Sequence, residues 1–179
     1  MRKDIFTKLS NETLNYQNDW QYFKDVLWKP LMRVEGGGKL HNVSGDSGGW
    51  TIYGVSYNNN KDYFISIGDF KALTEYEAQL IAFSKYYINS GTQYVSQDAK
   101  DVYFDIAFNM GVSRAIKMGQ KIVGIEQDGI IGAISKTKFK LITEKELTYE
   151  RVKFYYSLVS LKKFLKGWLN RVKIISDID

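Results

Sequence analysis

The sequence predicts an α+β fold, mostly α, with a small sheet inserted between two helical blocks. Two observations predict it. Apolar residues recur at helical spacing before residue 35 and again after residue 74, the mark of amphipathic helices. Between them, from Gly36 to about Phe70, the chain carries turn signals and short alternating segments rich in β-branched and aromatic residues, "WTIYGVSY" being the clearest.

The elements follow in order. "NETLNYQNDWQYFKDVLWKPLMRVEGG" reads as one or two helices, with Phe23, Val26, Leu27, Leu31 and Val34 as the apolar stripe. Pro30 has no N–H to donate, so a new turn or a kink is expected there. Glycines 36 to 38 stop the helix and leave Glu35 at its C-terminus. "LTEYEAQLIAFSKYYI" is the best-marked helix: Thr74 and Glu77 form a capping box, and Ala78, Ile81, Ala82 and Tyr86 form a stripe. "AKDVYFDIAFNMGVSRAIKMGQKI" is apolar nearly all round, as a central buried helix would be. "QDGIIGAIS" is a turn, with Ser135 as the expected cap of a short helix. From Thr148 to about Ile175 the pattern is a long amphipathic helix or a helix pair, which closes a mostly helical α+β arrangement.

Composition narrows the function classes. With 44% hydrophobic and 25% charged residues, the 179-residue chain reads as an ordinary globular protein with a good core. No run of eighteen apolar residues suggests a transmembrane helix, and the N-terminal residues do not read as a signal peptide. Absent cysteine excludes disulfides and thiolate chemistry, and a single histidine leaves little for zinc, so neither metal nor cofactor is expected. The net charge of +5 is concentrated in "RVKFYYSLVSLKKFLKGWLNRVK". That balance suits an anionic partner, such as nucleic acid, membrane surface or cell wall, although charge alone is as well explained by a solvated face.

The candidate chemistry lies around "RVEGGGKLHNVSGDSGGWTIYG". A carboxyl at a helix C-terminus faces the negative end of the helix dipole, and partial burial acts in the same sense. Both favour the protonated form of Glu35 that a general acid needs. Asp46, in the turn-like "SGDSGG", is expected to stay ionised, and two carboxyls pushed apart in this way resemble the acid and base of a glycosidase. Thr51 follows on the expected strand, where its hydroxyl would hold a water. Trp50 and Tyr53 are candidate sugar-stacking rings, though aromatics beside a strand are more often core. His41 reads as a solvated loop residue. In the central helix Asp105 and Asn109 share one face, so they either satisfy a structural network or line a cleft. Asn58, Asn60 and Asp62 have a faint calcium-loop spacing but lack the required glycine, and that reading is discarded.

Together these motifs resemble glycoside hydrolase family 108, the N-acetylmuramidases of phages and bacterial secretion loci. "EGG" at 35–37 and "DSGGWTIYGVS" at 46–56 resemble the family's E-G-G-Y and D-P-G-G-x-T-x-Y-G-I-T. "LTEYEA" and "FDIAFNMG" resemble its L-T-x-x-E-A and F-D-x-A-V-N-x-G. "QDGIIGAIS" and "FLKGWLNRV" resemble its C-terminal peptidoglycan-associated region. Ser47 stands where the family has proline, and Gly38 where it has an aromatic, which would leave a cleft-wall contact missing.

The resemblance implies a lysozyme-like fold: a helical extension over residues 1–22, a catalytic region over 23–115 and a peptidoglycan-associated helical region over 116–179, with the sugar chain between a sheet lobe and a helical lobe. It implies a muramidase in which Glu35 is the catalytic acid, Asp46 and Thr51 handle the water, and Tyr53, Asn109 and Trp50 contact the sugar. The implied partners are the glycan strands of peptidoglycan and a holin-type pore protein for export. The implied protein is a monomer made in the bacterial cytoplasm without a signal peptide, acting on the wall and not on nucleic acid. The basic end, with Lys162, Lys163, Lys166, Arg171 and Lys173, would favour the anionic wall. Two readings of other classes stay open: a non-catalytic wall-binding or phage structural module of the same fold, and a basic nucleic-acid-binding helical domain.

Overall fold

The computed structural model describes residues 2–42, 48–158 and 162–175. The chain is mostly helical with one small antiparallel sheet, the α+β class expected. It divides into two compact units, Met1–Ser84 and Lys85–Asp179.

In the first unit, α1 (Arg2–Thr13) is followed by α2 (Gln17–Tyr22), a π-helical segment (Phe23–Trp28) and α3 (Lys29–Val34), the last three running on as one helical stretch. Pro30 therefore does not break the helix. The wider π-helical turn just before it changes the hydrogen-bond register, a common way of accommodating a proline inside a helix. The same turn shifts the buried face. Phe23, Leu27, Trp28 and Leu31 are buried while Val26 of the predicted stripe is exposed. Trp28 Nε1 donates to Glu75 Oε1 at 2.8 Å. The three-stranded sheet follows, with β1 (His41–Asn42), β2 (Trp50–Ile52) and β3 (Val55–Ser56) in the order β1-β2-β3. It pairs His41 with Thr51 and Ile52 with Val55. Then come α4 (Ile67–Lys71) and α5 (Glu75–Ala82), the latter opened by the predicted Thr74–Glu77 capping box. The N-terminal helix packs within this unit, through Ser10–Tyr76 and Ser84–Glu12 hydrogen bonds and a Phe6–Phe64 ring contact.

In the second unit the expected central helix is two helices, α6 (Lys100–Met110) and α7 (Val112–Ile122). Gly111, at φ 92° and ψ 146°, ends the first, a conformation that residues with a Cβ avoid. Val102, Tyr103, Ile106 and Ala107 of α6 and Ala115, Ile116 and Met118 of α7 share one core with Phe139, Ile142 and Leu147. Burial pushes the Tyr103 phenol well above its usual range, and its hydroxyl donates to the Ser90 carbonyl at 2.8 Å. The short helix α8 (Ala133–Lys138) is capped by Gly132, not Ser135, which is buried inside it. The chain end is a helix pair, α9 (Glu144–Ser157) and α10 (Lys162–Ile175). A second capping box, Thr143 with Glu146, opens α9 four residues before the expected start.

The apolar face of α10 packs against α9. Trp168 is half-buried and stacks on Tyr155 with ring centroids 5.0 Å apart and 21° between planes, and Val172 is buried. Trp168→Ala should lower stability by about 1–3 kcal/mol, less than the full cost of emptying a core site because the ring is partly exposed. Lys166→Gln, at an exposed position of the same helix, should leave the denaturation midpoint unchanged. Equal midpoints for the two variants would remove Trp168 from the packed face. Arg171 departs from the group of basic residues expected to face the anionic wall: it turns inward and pairs with Asp105. No helix among the described residues is long and apolar enough to cross a membrane.

Candidate active site

Glu35 is the C-cap of α3, at φ −83° and ψ 0°, its N–H donating to the Leu31 carbonyl. Gly36 and Gly37 follow at φ 74° and 66°. The Gly37 N–H returns to the Met32 carbonyl at 2.9 Å, the bond of a Schellman turn. A Cβ at either glycine would meet nothing within 4 Å, so the demand for glycine here is a backbone demand. The turn fixes Glu35 at the negative end of the helix. Its carboxylate oxygen Oε1 is shielded from solvent in an otherwise half-buried residue.

The sheet supplies the next candidates. Thr51 is half-buried in the middle of β2, opposite His41 on one side and Ser56 on the other. Tyr53 and Gly54 form the two-residue β2–β3 turn at φ 53° and 71°, the signs of a type I′ hairpin. Tyr53 is the one non-glycine residue with positive φ among the described residues, an uncommon setting for a bulky side chain. Its ring lies against Gly38. A Cβ on Gly38 would stand 2.6 Å from Tyr53 Cε1 and 2.9 Å from its hydroxyl oxygen. The ring of Tyr53 thus covers Gly38, three residues along from Glu35. The contact also ties the segment after the catalytic candidate to the hairpin that carries Thr51.

Trp50 precedes Thr51 on β2, so its side chain leaves from the opposite face of the strand. Lys71 Nζ lies 4.1 Å from its ring centroid, a cation–π contact that takes one face of the indole. His41 is exposed, as expected. Asp46 falls within residues 43–47, outside the described residues. Among the described residues no group of three or more metal-ligating side chains comes together.

In the second unit, the alternatives left open for Asp105 and Asn109 separate. Asp105 is 2% exposed and sits at the centre of an ion cluster. Arg151, fully buried, donates from Nη2 to its Oδ2 at 2.5 Å. Arg171 donates from Nη2 to Oδ1 at 2.6 Å and from Nε at 3.0 Å. Asp105 is thus structural. Asn109 is exposed, yet its amide nitrogen is held by the Asp105 carbonyl at 3.0 Å and by Oδ1 at 3.1 Å. This leaves the side-chain carbonyl as the group that Asn109 can present. Sequence reasoning flagged Asp105 but not its partners, which lie 46 and 66 residues away.

Residues 28–111 match the family model described as Glycosyl hydrolase 108. This span contains Glu35, Asp46, Thr51, Tyr53 and Asn109. No curated protein matches the sequence. Among solved structures the chain is similar to Brucella abortus SagA, with a TM-score of 0.73 and 27% identity over 86% of this chain and 93% of that one. The small sheet set between helical blocks is the arrangement of a lysozyme-like α+β fold. The match over residues 28–111 and the structural likeness together support a member of glycosyl hydrolase family 108, a peptidoglycan hydrolase of the muramidase type.

Proposed function

We propose that the protein is an N-acetylmuramidase that hydrolyses the β-1,4 bond between N-acetylmuramic acid and N-acetylglucosamine, and that it acts in phage lysis or bacterial secretion. The observation that supports this most is the setting of Glu35, pinned at the C-cap of α3 by a Schellman turn with one carboxyl oxygen shielded from water. In this reading Glu35 protonates the leaving glycosidic oxygen, and the C4 hydroxyl of the next sugar departs. Asp46 takes a proton from the attacking water, which Thr51 orients. Tyr53 provides an apolar wall for a sugar ring, with Asn109 and Trp50 as further sugar contacts. The strained backbone at Tyr53 fits such a role, since costly backbone settings persist where a side chain must be held in one place.

The test is product analysis on purified peptidoglycan. Borohydride reduction of the products should convert muramic acid, and not glucosamine, into its alditol, and no new amino termini should appear. Reduced glucosamine would mean the other glycosidic bond is cut, and new amino termini would mean amidase or peptidase action. Because a water activated by Asp46 attacks directly, the first product observed by NMR should be the α-anomer, the inverting outcome. A β-anomeric first product would replace the direct displacement by a covalent intermediate.

A further inference from the structure

Helices α7 and α9 of the second unit border a cavity of about 290 Å³. Arg114, Lys117, Lys121 and Lys153 surround it, with Glu150 as the one carboxylate of its wall. Lys121 already pairs with Glu150. Arg114, Lys117 and Lys121 lie three and four residues apart on α7 and so share one face. Arg114 is held in place, since Nη1 donates to the Met110 carbonyl at 2.7 Å and its guanidinium lies 4.7 Å from the Phe154 ring centroid. Lys117 and Lys153 are exposed. Asp128, an acid outside the wall that also feels the charge of Lys117, is engaged by the Gln120 side chain at 2.6 Å and the Ile130 N–H at 2.8 Å. Met118 and Phe154 supply an apolar lining, and Gln127 and Ser157 add polar groups.

A cluster of like charges around one hollow opposes folding unless an anion offsets it. The apolar lining and the small volume disfavour a bare, strongly hydrated ion and suit a short ligand with carboxylates and small apolar side chains. We infer that this cavity is a binding site for the carboxylate-bearing stem peptide of the peptidoglycan strand, with Arg114, Lys117 and Lys153 as its anion-binding groups. The inference rests on the muramidase reading for the identity of the ligand. It gives the second unit a further role, recognition of the peptide.

The experiment is a calorimetric titration of the full chain with a free stem tripeptide and with the same tripeptide carrying carboxamides. The free acid should bind about tenfold or more tightly than the amide, as expected for lost charge-assisted hydrogen bonds. Lys117→Gln/Lys153→Gln should lose binding of the free acid by a similar factor with an unchanged thermal melt, because both side chains are exposed. Raising the salt should weaken the wild-type complex. Equal binding of acid and amide, an unaffected double variant, or tighter binding of poly(glycerol phosphate) than of the tripeptide would each overturn the inference. The titration needs no turnover. Failure of wild type to release new reducing ends from intact peptidoglycan, measured separately, would count against the glycosidase reading and not against the pocket.

Discussion

Glu35→Gln should lower peptidoglycan hydrolysis by about 10²-fold or more, the usual scale of general acid catalysis, while leaving the fold intact. The substitution keeps the size and shape of the side chain and removes only its ability to give up a proton. The features that hold the residue are backbone features: its N–H bonded to the Leu31 carbonyl, and the Gly37 N–H returning to Met32. Both are backbone bonds that the substitution leaves in place. The measurement is release of reducing ends from purified peptidoglycan at matched protein concentration, with a thermal melt as the control for folding. Activity within a few-fold of wild type would remove Glu35 from the acid role. It would leave the chain as a family member whose chemistry lies elsewhere, or as a wall-binding module of the same fold.

Features encoded locally were legible. Thr74 with Glu77 announces α5 because both halves of a capping box lie within one turn of chain. Glu35 is placed at a helix end because two following glycines adopt positive φ. The same local logic marks Thr143 and Glu146, which lie ahead of the apolar pattern expected to begin at Thr148. Other features are invisible to periodicity. One glycine inside a long apolar run separates α6 from α7, and apolarity alone does not say whether such a residue is a helix interior or a break. A π-helical turn before Pro30 lets the helix continue and turns Val26 outward, and no three- or four-residue spacing encodes it. The catalytic candidates divide in the same way. Tyr53 over Gly38 is a contact between a turn and a loop fifteen positions apart, which no local spacing encodes. Asp46 lies outside the described residues, and its part in the mechanism remains for the anomer experiment.

Removing the Asp105 carboxylate should have the largest effect on stability. Asp105→Ala leaves Arg151, with no exposed surface, and Arg171, at 14% side-chain exposure, without the carboxylate that now receives both. Breaking a buried ion cluster by deleting one member costs about 3–5 kcal/mol, because the remaining charge stays desolvated and unpaired. Arg151 has little to fall back on: Nε is bonded to the Tyr155 hydroxyl at 3.0 Å, and Nη1 has no hydrogen-bond partner among the described residues. Arg171→Ala should cost less than Arg151→Ala, since Arg171 is nearer to solvent and its loss leaves Asp105 still paired with Arg151. The cluster joins three helices, with Asp105 on α6, Arg151 on α9 and Arg171 on α10, so its loss should loosen the end of the chain first. Hydrogen exchange should show this as lost protection in α10 before the core of α6 and α7 opens. Replacing the three residues together by apolar side chains of similar size should recover much of the lost stability, because desolvation of the charges offsets most of their mutual attraction. Urea denaturation of the two single arginine variants, Asp105→Ala and the triple variant decides the matter. A midpoint for Asp105→Ala close to that of wild type would show that the cluster holds α10 by shape alone, and that the charges contribute little to the stability of the second unit.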